Sequence, residues 1–416
     1  MLPRERVLKT LQHQEPDIVP WGEHYIDYNV YEDILGRPTL LHAKFRETQA
    51  LWDGRRDEVV ERYKRDTIEL VEALDMEIIT VQLMPRADTP VKPMKQIDDE
   101  TYEDEAGNLH RISVSTHRLM PFKIRTDNYV APTLEGLQEQ IDKIDTEGVP
   151  PPDDSELELV RHVVAKKKSS HWINLLIGDV GFPSFGPTDE ERYINLALHP
   201  ELHAKLSELA GKRVIASLPY YAQTGVDSVM GACDYGSSQA LLVSPQIMAE
   251  HMAPWMKKIA QTTHSLGLKY LKHCCGCIWE ALPHFIEAGY DAYESIQASA
   301  GMDMKLLKQL YGDKLTLWGG VTNENLILGT PEQVTADALY ALRWGAPGGG
   351  FIYGASHSLA VGTKPQNLLA MKEAREKYGV YPLRIPEGLG EKPGLETPMT
   401  LPPIFRNMLG LTTSGC

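Results

Sequence analysis

Apolar and polar positions alternate along this chain in two periods, one belonging to helices and one to strands. Val7, Leu8 and Leu11 recur at helical spacing behind Pro3, so residues 3–13 read as a short helix that Pro16 stops. Two apolar runs end in polar residues: 17–24 (DIVPWGEH), closing on Glu23 and His24, and 76–83 (MEIITVQL), closing on Gln82. Both read as buried strands. Between them, residues 40–75 carry helical periodicity with many charges, the pattern of helices laid over a sheet. From residue 172 onward the alternation is regular, with apolar strands at 172–178, 228–233, 268–274, 290–296, 315–318 and 350–353 and helical patterns between them. Strands that alternate with helices pair in parallel through right-handed crossovers, and eight of them close a barrel. The predicted fold is therefore an α/β (β/α)8 TIM barrel.

Three stretches break the alternation. Residues 94–127 read as a β-hairpin insertion that turns at Gly107 and Asn108. Residues 146–154, rich in Pro and Gly, read as a loop within the domain. Residues 383–416 are rich in Pro and Gly with little periodicity and read as a C-terminal arm or tail, suited to lying over a partner subunit in a homodimer. The predicted organisation is one barrel domain over 1–382 followed by that tail.

Residues that follow the strands of such a barrel share one mouth, where pockets form. Here they are Glu23 and His24, Gln82, Asp179, Asp234 with Gln239, His273 with Cys275, Glu294 with Gln297, Gly319 with Gly320, and Ser356 with His357. Asp234, Glu294 and His24 are the candidates for orienting a substrate or taking a proton, and Glu23, Asp179, Gln239 and Gln297 are candidate substrate contacts. Helix caps and buried polar contacts use the same residue types, which is the competing reading for Asp179, Asp234, Glu23 and His24. With a net charge of -15 and a pI near 5.4, the surface should repel nucleic acid and anionic membrane. No apolar run reaches 18 residues and the first residues lack the apolar core of a secretory signal, so a soluble cytoplasmic protein is expected.

Five cysteines, three of them in LKHCCGCIWE (residues 271–280), make a poor disulfide framework but a plausible metal site. Alternate residues of a strand face the same way, so His273 and Cys275 share a face while Cys274 turns to the other. A catalytic zinc commonly takes three protein ligands and keeps a fourth position open, and His357 is the candidate third ligand. Three alternatives stand beside this set: small buried residues filling the barrel, a set with Cys277 in place of His357, and a C-x-x-C redox pair of Cys274 and Cys277.

Several blocks together carry a family likeness. Arg4-Glu5-Arg6-Val7-Leu8 with His13 and Pro16 to Pro20 is similar to the opening of the uroporphyrinogen decarboxylase superfamily. Asp234 to Gln239, Ser244-Pro245 and Pro254-Trp255 resemble its middle. His273 to Gly276, Gln297, Gly301 to Met304 and Tyr311-Gly312 resemble its latter half, as do Trp318 to Gly320, Gly329 to Val334, Gly348 to Phe351 and Ser356 to Ser358. The likeness extends to about residue 378.

The resemblance implies a β/α barrel and two kinds of enzyme, a cofactor-free decarboxylase of uroporphyrinogen and zinc methyltransferases that work with corrinoid proteins. The decarboxylase's arginine-rich segment after the first strand is replaced here by Trp21-Gly22-Glu23-His24-Tyr25, and a glutamate there opposes a poly-acidic substrate. The methyltransferase branch binds zinc through His-x-Cys, matched by His273 and Cys275, and a later cysteine, where His357 stands instead. That branch implies zinc and a corrinoid (cobalamin) carried by a partner protein; the insertion at 94–127 and the tail, able to enclose a pocket larger than a short thiol needs, favour a small methylated substrate such as a methoxylated aromatic. Methyl transfer from cobalamin to a thiol, a uroporphyrinogen-type decarboxylation and a non-catalytic barrel that only binds the corrinoid protein are the other expectations.

Overall fold

The computed structural model describes residues 1–127, 129–181 and 185–395. Its main sheet has seven parallel strands, β1 (Ile78–Val81), β6 (Trp172–Ile177), β7 (Ser228–Ala232), β8 (Lys269–His273), β9 (Ala292–Glu294), β10 (Thr316–Val321) and β11 (Phe351–Ala355), paired in chain order. Strands β2 (Lys95–Gln96), β3 (Thr101–Glu103), β4 (Leu109–Ile112) and β5 (Leu119–Lys123) form a separate antiparallel sheet. The main sheet is curled, and the fold is α/β and TIM-barrel-like.

Between the edges β1 and β11 lies the run 17–24 that was expected to be a strand. It forms only single bridges, Trp21 with Tyr353 in parallel and Ile18 with Val380 antiparallel. The amide of Tyr353 donates to the carbonyl of Pro20 (2.8 Å), and on the other side the amide of Glu77 donates to the carbonyl of Trp21 (2.8 Å). The reason for the missing ladder is local. Pro20 has no N–H, and the N–H of Trp21 donates to the Glu77 carboxylate (2.7 Å) instead of to a strand.

Alternation along the strands divides the core in two. Ile78, Trp172, Met230, Leu271, Ala292, Trp318 and Ile352 form one inner layer, and Val7 and Leu11 of the first helix (Pro3–Leu11) pack against it. That helix ends at Leu11, two residues short of the expected boundary, and its apolar stripe is used as the periodicity predicted. The intervening residues, such as Tyr270 and Tyr293, join the larger core under the helices. Two positions beyond Leu271 and Ala292 come His273 and Glu294, which the register pairs directly. The inner face therefore changes from apolar to titratable at the ends of β8 and β9.

Two of the strand ends that differ from expectation have a backbone cause. β10 runs on through Gly319 and Gly320, because at φ of +134° and +111° they continue the strand in a conformation that other residues avoid. β9 stops at Glu294, where Ser295 adopts a φ of +84° and its hydroxyl donates to the carbonyl of Ser356 (2.9 Å). The hairpin expected around residue 107 is the β3–β4 pair, in which Glu103 opposes Leu109.

Residues 383–395 do not stand free. The Arg343 guanidinium binds the carbonyls of Ile385, Pro386 and Leu389, and the Asp337 carboxylate accepts from the amides of Gly394 and Leu395. The rest of the expected tail, 396–416, lies outside the described residues. Among the described residues no helix is long and apolar enough to cross a membrane.

Candidate metal and catalytic site

Glu294 is buried at the end of β9 and binds two imidazoles at once. One oxygen accepts from His24 Nδ1 (3.0 Å) and the other from His273 Nδ1 in a short contact. The two rings stack 4.1 Å apart, and the His357 ring meets both edge-on. Burial works against the Glu294 carboxylate, yet the two imidazoles hold its pKa well below the usual range. The same carboxylate, with Asp234, overcomes the depressing effect of burial on His273 and raises it to about 9. Burial depresses His24 and His357, which face other imidazoles.

Just past β8 the chain turns at Gly276, whose φ is +84° and where any Cβ would lie 2.4 Å from the carbonyl oxygen of Gly236. That close approach keeps Cys275 at the strand end. The amide of Cys275 donates to Asp234 Oδ1 (3.1 Å), and the amide of Gly276 donates to Gln297 Oε1 (2.9 Å). Asp234 is half-exposed and lies 3.4 Å from His273 Nε2. Burial would raise its carboxyl, but His273 and the Cys275 amide hold it well below the usual range. Burial, followed by Asp234, pushes the Cys275 thiol up, so a thiolate there calls for a nearby cation.

His273, Cys275 and His357 each offer one ligand atom, and these atoms all lie within 4.8 Å of one another. Tetrahedral ligands of one zinc at bonds of about 2.0–2.3 Å stand roughly 3.3–3.8 Å apart, so the donor set fits once its side chains draw in by up to about 1 Å. Glu294 on the Nδ1 of His273 leaves Nε2 for a metal, the carboxylate–histidine arrangement usual around zinc. His357 Nδ1 is 2.7 Å from Ser358 Oγ, which leaves its Nε2 as the remaining nitrogen. A second grouping, His24 with His273 and Glu294, is equally close, but its members are already hydrogen-bonded to one another and need no ion to explain their proximity.

The other expected site residues have different employment. Asp179, read as a substrate contact, is the buried counter-ion of Lys272 and also accepts from Tyr270 Oη (3.2 Å). Lys272 is one residue before His273 and so faces away from the site, over the Tyr235 ring. Glu23 accepts from Trp21 Nε1 (2.8 Å) and the Ala355 amide (3.0 Å), and burial pushes it up to about 8. It ties 17–24 to β11. Gln297 holds the Gly276 turn, and Gln239 is exposed. Cys274 and Cys277 lie in the core beneath the helices, with Cys274 Sγ accepting from the Tyr235 amide (3.2 Å). Sequence reasoning missed Lys272 as the partner of Asp179; a lysine inside an apolar strand was the signal.

A TIM-barrel-like fold with a histidine–cysteine–carboxylate cluster at its mouth defines an enzyme-type site. Residues 189–378, which include Asp234, His273, Cys275, Glu294 and His357, match the model of the family Uroporphyrinogen decarboxylase (URO-D). The match falls on the stretch that holds most of the motifs of the superfamily likeness, and that likeness stands. Among solved structures it is similar to a methyltransferase from Methanosarcina mazei, with a TM-score of 0.63 and 16% identity over 91% of this chain and 99% of that one. It also matches a B12-independent methionine synthase from Shewanella sp. W3-18-1, with a TM-score of 0.47 and 13% identity over 77% of this chain and 89% of that one. At such identities the first likeness shows a shared fold. No curated protein matches the chain in sequence.

Proposed function

We propose that the chain is a zinc-dependent methyltransferase that moves a methyl group between a small methylated substrate, such as a methoxylated aromatic, and the cobalt of a corrinoid protein. The observation that carries this reading is one cluster: three ligand atoms within 4.8 Å, with a buried carboxylate on the outer nitrogen of His273. His273, Cys275 and His357 would hold the metal, which when bound supplies Lewis acidity to an oxygen or sulfur that carries or accepts the methyl group. Glu294 fixes both imidazole rings. Because His24 Nδ1 donates to Glu294, its Nε2 carries the lone pair, and its depressed pKa keeps it neutral near pH 7, ready to take a proton. Asp234, ionised at the rim, is placed to accept a hydrogen bond from the substrate. The partner would dock over the mouth of a single barrel unit (1–382), in the reducing cytoplasm that keeps Cys275 a thiol.

The test is to incubate the purified chain with a reduced corrinoid carrier protein and a panel of methoxy, methylamine and methylthio compounds while following the methyl-cobalt spectrum. A methyl-cobalt signal that disappears in Cys275→Ser along with stoichiometric zinc supports the reading. Zinc retained at full stoichiometry in that variant refutes the ligand set. The reverse reading, methyl transfer from cobalamin to a thiol, uses the same residues and predicts decay of the signal on adding thiol.

A further inference from the structure

One residue past His24, Tyr25 lines a separate polar cavity. The cavity, of about 320 Å³, is bounded by Tyr25, His42 and Lys44 from the segment after the first bridge, by Glu47, by Gln82 beyond β1, and by Arg118 from the antiparallel sheet. Its volume lies in the range of small-molecule sites. The Tyr25 ring is 6.4 Å from that of His24, so the cavity adjoins the catalytic cluster.

Its polar groups are unequally satisfied. The phenolic oxygen of Tyr25 accepts from Arg118 Nη2 (3.0 Å) and Lys44 Nζ (3.5 Å), and among the described residues no acceptor takes the Tyr25 hydroxyl proton. Lys44 is already neutralised by a close contact to Asp27. Arg118 makes its side-chain hydrogen bond to a neutral phenol, and among the described residues no carboxylate forms an ion pair with it. His42 donates through Nδ1 to the carbonyl of Ile26 (2.7 Å), and burial pushes its pKa down to about 3, so it is uncharged. Glu47 is the one group that would oppose an anion. It accepts from Tyr63 Oη (2.9 Å), and burial pushes it up to about 7, so a proton is available to it near neutrality. The chamber thus presents a guanidinium whose side-chain acceptor among the described residues is a neutral phenol, and a phenol whose proton has no acceptor there.

We infer that this cavity receives a carboxylate group borne by the substrate, with the Arg118 guanidinium and the Tyr25 hydroxyl as its donors and the methylated end directed toward His24 and Cys275. A planar carboxylate matches the arginine fork in two parallel hydrogen bonds. The inference rests on the methyltransferase reading for the identity of the reacting end. The anion site itself stands on the cavity alone.

Calorimetric titration with benzoate, and with benzamide as its neutral counterpart, separates the two. Benzoate should bind at least ten-fold more tightly than benzamide to the wild-type chain, and Arg118→Gln and Tyr25→Phe should each reduce that preference, the former to near equality. Arg118 is exposed, so its replacement leaves the fold intact. Cys275→Ser, which removes a proposed zinc ligand, should keep the preference. Equal binding of benzoate and benzamide, or an unchanged preference in Arg118→Gln, overturns the assignment. A retained preference in a chain that yields no methyl-cobalt with any compound refutes the transferase reading and leaves the anion site standing.

Discussion

Glu294 decides which nitrogen of His273 stays available at the candidate site. Its position opposite His273 in the β8–β9 register gives the imidazole one fixed nitrogen and one available one. Replacing Glu294 with Gln keeps the shape but removes the charge, and zinc affinity should fall about 10–100-fold, as measured by competition with a chromophoric chelator. Asp179 tests the opposite kind of residue. If it serves Lys272 rather than substrate, Asp179→Asn leaves a buried ammonium unpaired and should lower unfolding free energy by about 3–5 kcal/mol in urea titration. An unchanged stability with a raised KM would restore the substrate-contact reading. Their partners, His273 and Lys272, are neighbours on β8, where odd and even positions face different cores.

Among the elements, the irregular run 17–24 carries His24, the proposed proton acceptor, yet has no ladder to hold it. Side chains do that work. Arg375, buried in the helix Pro365–Tyr378, donates through Nε to the carbonyl of Val19 (2.8 Å) and pairs closely with Glu77, whose other oxygen accepts from the Trp21 amide. Arg375→Met fills much of the same volume but leaves Glu77 charged and buried beside Arg6 alone. The expected result is a loss of about 3–5 kcal/mol by urea unfolding. The antiparallel sheet has a comparable positional task, since it brings Arg118 to the mouth from far along the chain.

At the scale of the whole molecule, buried neutral imidazoles set the acid limit. The folded pKa of His42 is about 3, against about 6.5 for an unfolded histidine, so below pH 6.5 the unfolded chain binds a proton that the folded chain refuses. Stability therefore falls as pH drops from 6.5 toward 3, and His13, His24 and His171, also depressed chiefly by burial, act in the same direction. Urea unfolding at pH 7 and pH 5 should show the decline. His42→Gln should shrink the slope by about one proton, roughly 1.4 kcal/mol per pH unit in that window.

What this chain's sequence determined by itself was whatever depends on local period. The order of strands and helices, the plugging helix with Val7 and Leu11, and the shared face of His273 and Cys275 all follow from spacings of two and of 3.6 residues. The polar residues after each strand were legible for the same reason. Only the tertiary structure decided which of those polar residues meet. Hydrogen-bond register set Glu294 beside His273, the curl of the sheet brought His24 and His357 to the same cluster, and burial gave Asp179 to Lys272 and Glu23 to Trp21. Pairing between strands and the satisfaction of buried charge are contacts between residues distant in sequence, and no local pattern encodes their partners.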